Sequence, residues 1–479
     1  MNAGPYYAPA RDIVILSSIA IAFVLLATRA VQLQVADTDL LQKEGNARFL
    51  RNEQVTANRG IIRDRNGVVL AVSTPVDSVW AEPNILKLHP NRWSNLEHVI
   101  GLEPNAIAAR LENLESDRQF IYLKRALIVD HAKEVMDLAV PGVALQREYR
   151  RFYPFGSSVA NLIGFTDIDD HGLEGIEFTY NDSLTGQHGI RQVIQDRKGR
   201  VVETIGDLQR VRDGEDITLS IDSRIQQIVH QTLINTAIEH KATSASAVII
   251  DVHTGEILAI STVPSFNPNE SSSRHTTHNY SARHEYEPGS VIKPFIIAKA
   301  LLDGKVLSNT IIDTSPGVIQ IEGFQIRDFR NYGELTVGGV IKKSSNIGAI
   351  KIGRRIPPTE LASFLGSLGF RDLSGSGIIG ETSGSFPQRS IWRSSEHATL
   401  TYGYGFSITM LKLVRAYAML GNGGKLTPLT ILAGDRSDES TLVMPNFVAR
   451  EVTSMLETVV SRTGTARRAK VPSYRVSGK

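Results

Sequence analysis

Two short stretches carry residue types able to do chemistry at a useful spacing. The first is Glu287-Pro-Gly-Ser-Val-Ile-Lys-Pro-Phe295, with Ser290 three residues before Lys293. Glu287-Pro288-Gly289 breaks the chain, Pro294 falls where a first helical turn tolerates a missing N–H, and Val291 to Leu302 continues as an apolar helix. Residues three apart share a helix face. A serine hydroxyl is a poor nucleophile until a base takes its proton, and a lysine buried near positive charge has its pKa lowered towards that task. The helix N-terminus favours an oxyanion beside Ser290. The competing reading is a helix cap with a surface lysine beyond it. The second stretch is Lys342-Lys-Ser-Ser-Asn346. Ser344 and Asn346 suit one cleft, the serine relaying a proton and the amide orienting lysine or substrate. Its competing reading is again a cap, with Ser344 or Ser345 accepting backbone N–H groups and both lysines solvated.

The elements that would position these residues can be read from pattern. Asp216 to Asp222 reads as a short strand ending at a helix N-cap, and Ile225, Ile228, Val229 and Leu233 follow at helical spacing. Ser246–Asp251 and Glu256–Thr262 read as two strands about His253-Thr254-Gly255. Leu335 to Ile341 leads into the second motif, and a small-residue helix, Ile347 to Ile352, follows it. Helix then hairpin predicts an α+β domain with helices packed on an antiparallel sheet. Upstream, Arg65-Asn66-Gly67 separates two β-branched runs within Asn46 to Val72 and predicts a hairpin. Pro75 to Val143 is charge-rich with helical periods and reads as an inserted subdomain. Arg147 to Arg212 returns to strand and turn signals, among them Tyr153-Pro-Phe-Gly156, Leu184-Thr-Gly186 and Asp196-Arg-Lys-Gly-Arg200.

Composition narrows the class. A chain of 479 residues is too long for one ordinary core. With 42% hydrophobic and 21% charged residues it is globular, and a net charge of +2 makes no demand for nucleic acid. The absence of cysteine excludes thiol catalysis, disulfides and thiolate metal sites. Ile13 to Thr28 carries no charge, and snorkelling by Arg29 extends the apolar span through Val31 and Leu33. It reads as an uncleaved membrane anchor, against a cleaved signal peptide or a buried core helix. One basic residue, Arg11, precedes it, whereas Arg29, Lys43 and Arg48 come after it, which leans against export of the downstream chain; long domains cross largely regardless of such counts. Asp167-Ile-Asp-Asp-His-Gly172 imitates a calcium loop, but His171 and Phe178 stand where oxygen ligands belong, so it reads as a polar turn.

The two motifs, in this order and 54 residues apart, resemble the active-site serine penicilloyl transferases, whose pattern is S-x-x-K, S-x-N, then K-T-G on an edge strand. Arg462-Thr-Gly-Thr465 imitates the third motif. Tyr474-Arg-Val-Ser-Gly-Lys479 fits the family's strand approach Y-x-V-x-G-K, so Lys479 is expected to be the motif lysine, with the following Thr, Gly and remaining strands missing. The resemblance extends to Arg59-Gly-Ile-Ile-Arg-Asp-Arg-Asn-Gly67, Gly164 to Glu177, Asp251 to Ala259, Phe266-Asn-Pro-Asn269 and Tyr402-Gly-Tyr-Gly405. It is to a class B penicillin-binding protein of the septal, penicillin-binding protein 3 type, with Thr166 to Glu177 favouring the septal over the elongation branch. Nothing leaves room for a glycosyltransferase domain.

The resemblance implies an α+β chain: a single N-terminal transmembrane helix with a cytoplasmic tail (1–35), a mixed pedestal or dimerisation-type domain (36–215, head subdomain 75–145), and a transpeptidase domain (216–479) incomplete at its C-terminus. It implies Ser290 as acylated nucleophile, Lys293 as general base, Ser344 as proton relay, Asn346 holding the donor amide, and Lys479 binding a carboxylate and tuning Lys293. The Ser290 N–H would be half of an oxyanion hole whose other half lies beyond Lys479. Substrates would be D-Ala-D-Ala stem peptides of peptidoglycan, with β-lactams as covalent inhibitors; no cofactor or metal is required. Implied partners are other division-site membrane proteins and a glycosyltransferase. The implied location is the inner membrane, single-pass, with the catalytic domain outside the cytoplasm. Arg59, Asp64 and Gly67 would fix the hairpin against the transpeptidase domain. Met410, where the family has proline, would be a local packing change. The alternatives are a catalytically incomplete division scaffold, and a β-lactam sensor or β-lactamase, against which the long segment before the catalytic domain argues.

Overall fold

The computed structural model describes residues 9–36, 50–112, 114, 118–127, 129–195, 201–270, 279–435 and 439–479. The start of the tail, Lys43, Asn46, Arg48 and the 196–200 turn signal lie outside the described residues. In chain order the elements used below are helix α1 (Pro9–Val31) and strands β1 (Leu50–Val55), β2 (Ile62–Arg63), β3 (Val69–Ala81), β4 (Ile121–Leu127), β5 (Val143–Phe152), β6 (Gly189–Gln195), β7 (Val201–Gln209) and β8 (Ile217–Thr218). Then come α2 (Ser223–His240), β9 (Ala245–Ile250), β10 (Ile257–Val263), α3 (Lys293–Leu302), β11 (Ile311–Asp313), β12 (Val318–Ile321), β13 (Phe324–Arg327) and β14 (Glu334–Thr336). Last are α4 (Val337–Lys343), α5 (Asn346–Gly353), α6 (Ser394–Thr401), α7 (Met410–Gly421) and α8 (Asn446–Val459).

The chain divides into two compact units, residues 1–58 with 186–213, and 59–185 with 214–479. In the first, α1 has 23 residues, about 34 Å at 1.5 Å per residue. A span of 23 residues, Ile13–Val35, is long and apolar enough to cross a membrane, and its side chains are exposed. That exposure disfavours the buried-core reading. The rest of this unit is an antiparallel sheet in the order β1-β6-β7.

In the second unit, β2 and β3 form the expected hairpin about Arg65-Asn-Gly67. Asp64 holds the turn: its Oδ1 accepts from the N–H groups of Asn66 and Val68, both at 2.8 Å. Its Oδ2 reaches across to α2, accepting from Ser223 N at 3.1 Å and Ser223 Oγ at 2.8 Å. β2 also pairs in parallel with β8, so the hairpin and the strand that leads towards α2 share a sheet. Asp64 thus fixes the hairpin as anticipated, but Arg59 does not. Its guanidinium turns to buried Glu177 at 2.8 Å, which Arg151 also meets at 2.6 Å, because a carboxylate with no exposure needs such partners. The head, expected as an inserted subdomain, shares a strand with the hairpin. β3 is 13 residues long and continues from the hairpin into the head, where its later half pairs with both β4 and β5. Val79, Leu96, Ile107, Leu123 and Val135 close the head's own core.

Asp222 caps α2 as expected, accepting from Arg224 N at 3.0 Å. The apolar stripe read for α2 is rotated relative to the observed one: Ile228 is 68% exposed, while Gln226 and His230 are buried. The cause is the edge of β10. Gln226 Oε1 accepts from Ile260 N at 2.9 Å and its Nε2 donates to Ile260 O at 2.8 Å, filling the ladder with a side-chain amide. β9 and β10 form the expected antiparallel pair. Beside them α3 is the central helix of the largest core, with Phe295, Ile296, Ile297 and Ala298 fully buried among α4, α5, α7 and α8. Met410 opens α7 behind N-cap Thr409, a first helical position that also accepts proline because its N–H has no helical partner.

Candidate active site

Ser290 sits on a 3₁₀ turn, Gly289–Ile292, that runs directly into α3. Its neighbours are pinned on both sides. Gly289 N donates to Gly403 O at 2.8 Å, and Tyr417 Oη on α7 donates to Val291 O at 2.7 Å. Gly405 N donates to Glu287 Oε1 at 2.8 Å. The Tyr402–Gly405 segment can come this close because a Cβ on Gly403 would lie 2.0 Å from Gly289 O. Ser290 is half-buried, and its hydroxyl makes no hydrogen bond among the described residues.

Lys293, the first residue of α3, has no exposed surface. Its Nζ donates to Ser344 O and to Asn346 Oδ1, both at 2.7 Å, with Ser344 Oγ at 3.4 Å. Burial, reinforced by the positive charge of Lys479 and opposed by Asp328, pulls the amine down to about 7. Near neutrality it is therefore divided between ammonium and free base, which a proton acceptor for a serine requires.

Ser344 ends α4 in the left-handed region, φ 61°, a costly conformation for a residue with a side chain. That reversal turns its carbonyl towards Lys293. The cap belongs to its neighbour: Ser345 Oγ accepts from Gly348 N at 2.9 Å and opens α5. Lys343 is not a free surface lysine, since it donates to Thr463 O at 2.8 Å and so ties down the turn that imitates a third motif. Asn346 is held at both ends of its amide, Oδ1 by Lys293 and Nδ2 by Arg327 O at 2.9 Å.

A residue outside every motif organises this end of the site. The Asp328 carboxylate accepts from Ser345 Oγ, Asn346 N and, at 3.2 Å, Ile347 N, at the positive end of α5. No local pattern announces it, because its partners lie 17 to 19 residues further on. Lys479 lies close enough for its charge to act on Lys293, and burial lowers its own amine to about 8. The expected strand from Tyr474 to Lys479 is not observed. No strand among the described residues runs beside it to supply a ladder. It rests instead on α8, through Arg475 to Glu457 at 2.7 Å, Ser477 Oγ to Thr453 O at 3.2 Å and Gly478 N to Leu456 O at 3.4 Å.

The structure thus gathers Lys293, Ser344 and Asn346 by hydrogen bonds, sets Ser290 one turn from Lys293, and brings Lys479 within electrostatic reach. A half-buried serine beside a lysine poised near neutrality can form and break acyl esters. Among the described residues no cluster of His, Cys, Asp and Glu is arranged to hold a metal ion.

Comparison with known proteins agrees with this chemistry. Residues 245–479 match the penicillin binding protein transpeptidase domain, and residues 54–219 match the penicillin-binding protein dimerisation domain. The chain therefore belongs to the penicillin-binding protein transpeptidase family, in its class B form with an N-terminal dimerisation domain. It is 38% identical over 468 residues to the peptidoglycan D,D-transpeptidase FtsI of Escherichia coli, covering 96% of this chain and 79% of that one. It is 36% identical to the probable peptidoglycan D,D-transpeptidase PbpC of Pseudomonas aeruginosa, covering 98% and 83%. Penicillin binding protein 3 of Mycobacterium tuberculosis, solved with aztreonam, superposes with a TM-score of 0.66 at 26% identity over 88% of this chain and 80% of that one.

Proposed function

We propose that this chain is a septal-type peptidoglycan D,D-transpeptidase acting through an ester on Ser290. The observation that carries the reading is Lys293: fully buried, held by Ser344 O and Asn346 Oδ1, one turn from a serine, with its amine drawn down to about 7. Neutral Lys293 takes the Ser290 proton as Oγ attacks the carbonyl of a D-Ala-D-Ala amide. The tetrahedral intermediate collapses with cleavage of the C–N bond, and the terminal D-Ala leaves as its amine takes a proton relayed from Lys293 through Ser344. An amine of a second stem peptide then attacks the ester, loses a proton by the same route, and returns Ser290 to its hydroxyl form. Asn346 holds the donor amide, and protonated Lys479 binds the donor's terminal carboxylate. A β-lactam follows the first half of this course. Its leaving nitrogen remains tethered by the opened ring, so the ester persists.

In the same reading, residues 1–35 form the tail and membrane anchor, 36–215 the pedestal, and 216–479 the transpeptidase region. α1 anchors the chain in the inner membrane with the catalytic region outside the cytoplasm, among division-site membrane proteins and a glycosyltransferase. The 23-residue apolar span supports the anchor, and the peptidoglycan activity in the relatives' names supports a catalytic region outside the cytoplasm. The test is the intact mass of the chain after incubation with penicillin, with Ser290→Ala alongside. One penicilloyl adduct on the parent and none on a folded variant is the expected result. An adduct that persists on Ser290→Ala would refute the nucleophile, and rapid loss of the adduct by hydrolysis would favour a lactamase.

A further inference from the structure

The β12–β13 hairpin touches no reacting atom, yet its two ends hold the two halves of the site. Its turn is Glu322-Gly323, with φ of 49° and 87°, the left-handed pair that a two-residue hairpin loop requires. This turn delivers the Glu322 carboxylate to the start of α6. Oε1 accepts from Ser394 N at 3.0 Å, and Oε2 accepts from Ser395 N at 3.0 Å and Ser395 Oγ at 2.5 Å. Glu396 takes the preceding N–H, that of Arg393, at 3.0 Å. The opening N–H groups of α6 are thus satisfied by two carboxylates, one of them lent by a hairpin more than 70 residues away.

The far end of α6 is Tyr402-Gly-Tyr-Gly405, the segment that pins Gly289 and Glu287 on the approach to Ser290. The other end of the hairpin is Arg327-Asp328, which holds the Asn346 amide and the start of α5. Between the two ends, Ile321 seals a small core with Ile350 of α5 and Ala398 of α6, and Ile319, Ile326 and Tyr402 pack around it. One hairpin therefore grips both the helix that leads to the nucleophile loop and the helix that carries Asn346.

We infer that Glu322 is a positioning residue for acyl transfer: through α6 it sets where the Ser290 loop stands relative to Ser344 and Asn346. This rests on the reading of Ser290 as nucleophile. Glu322 is exposed and is not among the charges that act on Lys293, so it acts on geometry and leaves the proton chemistry alone.

The experiment compares the full chain with Glu322→Ala, Glu322→Gln and Glu322→Asp. Labelling by a fluorescent penicillin is followed against concentration and pH, and amide hydrogen exchange is recorded on the same samples. The expected result is a fall of about threefold to tenfold in the limiting acylation rate for alanine, the size of an exposed cap. Half-saturation and the midpoint of the pH profile stay unchanged. Glutamine, which keeps one acceptor, loses less, and aspartate recovers part of the loss. Exchange at Gly289 and Gly405 accelerates in the alanine variant, while β10 is unchanged. A wild-type rate for Glu322→Ala, or a loss that merely follows the unfolded fraction, would overturn the inference; should alanine not fold, a wild-type rate for glutamine does the same. If the parent chain takes no adduct, the nucleophile reading fails by itself. The exchange at Gly289 and Gly405 then still decides whether Glu322 holds the loop.

Discussion

Moving the pH away from neutrality in either direction should slow acylation of Ser290, and the two limbs should belong to two lysines. In the proposed mechanism Lys293 has to be neutral to take the proton, and its amine lies at about 7. Lys479 has, in the same proposal, to be charged to hold a carboxylate, and its amine lies at about 8. Taking the two fractions together, the rate peaks near pH 7.5, is about sixfold lower at pH 6 and about twentyfold lower at pH 9.5. Because each charge acts on the other, the two limbs are properties of the pair. Removing one member therefore moves the limb of the other. In Lys479→Met the alkaline limb vanishes, and the acid limb moves to higher pH, since a cation that presses Lys293 down is gone. In Asp328→Asn the acid limb moves to lower pH, since an anion that holds the proton on is gone. The assay is the pseudo-first-order rate of adduct formation with a fluorescent penicillin, read on gels and by intact mass, with circular dichroism confirming the fold at each pH. A flat profile between pH 6 and 9.5 would refute the reasoning. So would shifts of the acid limb in the same direction for Lys479→Met and Asp328→Asn.

Three further outcomes are expected. Gly403→Ala should cost about 3 kcal/mol or more and abolish labelling, because its Cβ would meet Gly289 O at 2.0 Å and φ there is 87°; denaturant midpoints and penicillin labelling check it. Lys293→Met should remove a pH dependence of stability. The folded amine lies below its ordinary 10.5, so the unfolded chain binds more protons above about 7 and stability rises with pH in that window. Between pH 6 and 9 the parent should gain about 2–3 kcal/mol that the methionine variant does not, read as the difference in their unfolding free energies. Asp64→Asn should destabilise by about 2 kcal/mol at neutral pH, because the new NH₂ group faces donors on one side or the other. The folded Asp64 carboxylate is held below its usual value, so its contribution is present above about pH 4 and lost as the pH falls further; acid titration of the variant should be correspondingly less steep.

The candidate residues are legible because their spacing is local. Ser290 and Lys293 lie a turn apart where a 3₁₀ turn runs into α3, and the run from Ser344 to Asn346 is contiguous; spacing leaves a pair of helix caps open as well, and it is the order of the two motifs, through the family resemblance, that joins them into one site. The Asp222 cap and the Arg65-Asn-Gly67 turn were legible for the same reason. What escaped reading acts over distance. Asp328 and Glu322 are single carboxylates in charge-rich stretches, and only the path of the chain brings them to helix starts. The buried face of α2 departs from its apolar stripe because hydrophobicity is not the only cause of burial. At Gln226 the buried group is an amide answering the bare edge of β10, and no periodicity of apolar residues encodes that. The tail before Lys479 failed as a strand because strand propensity is realised only beside a partner strand.

Asp64 gives the fold an order in time. Its bonds to Asn66 and Val68 span two and four residues, whereas its bonds to Ser223 span 159. Local contacts close at a lower entropic cost than distant ones, so the turn is the easier half of this junction to form. The hairpin is completed only with the later chain, since β2 takes β8 as its second neighbour and Ile62 and Leu70 pack with Ile217, Leu219 and Ile221. Asp64 thus joins a contact that closes within five residues to one that waits for the chain to return.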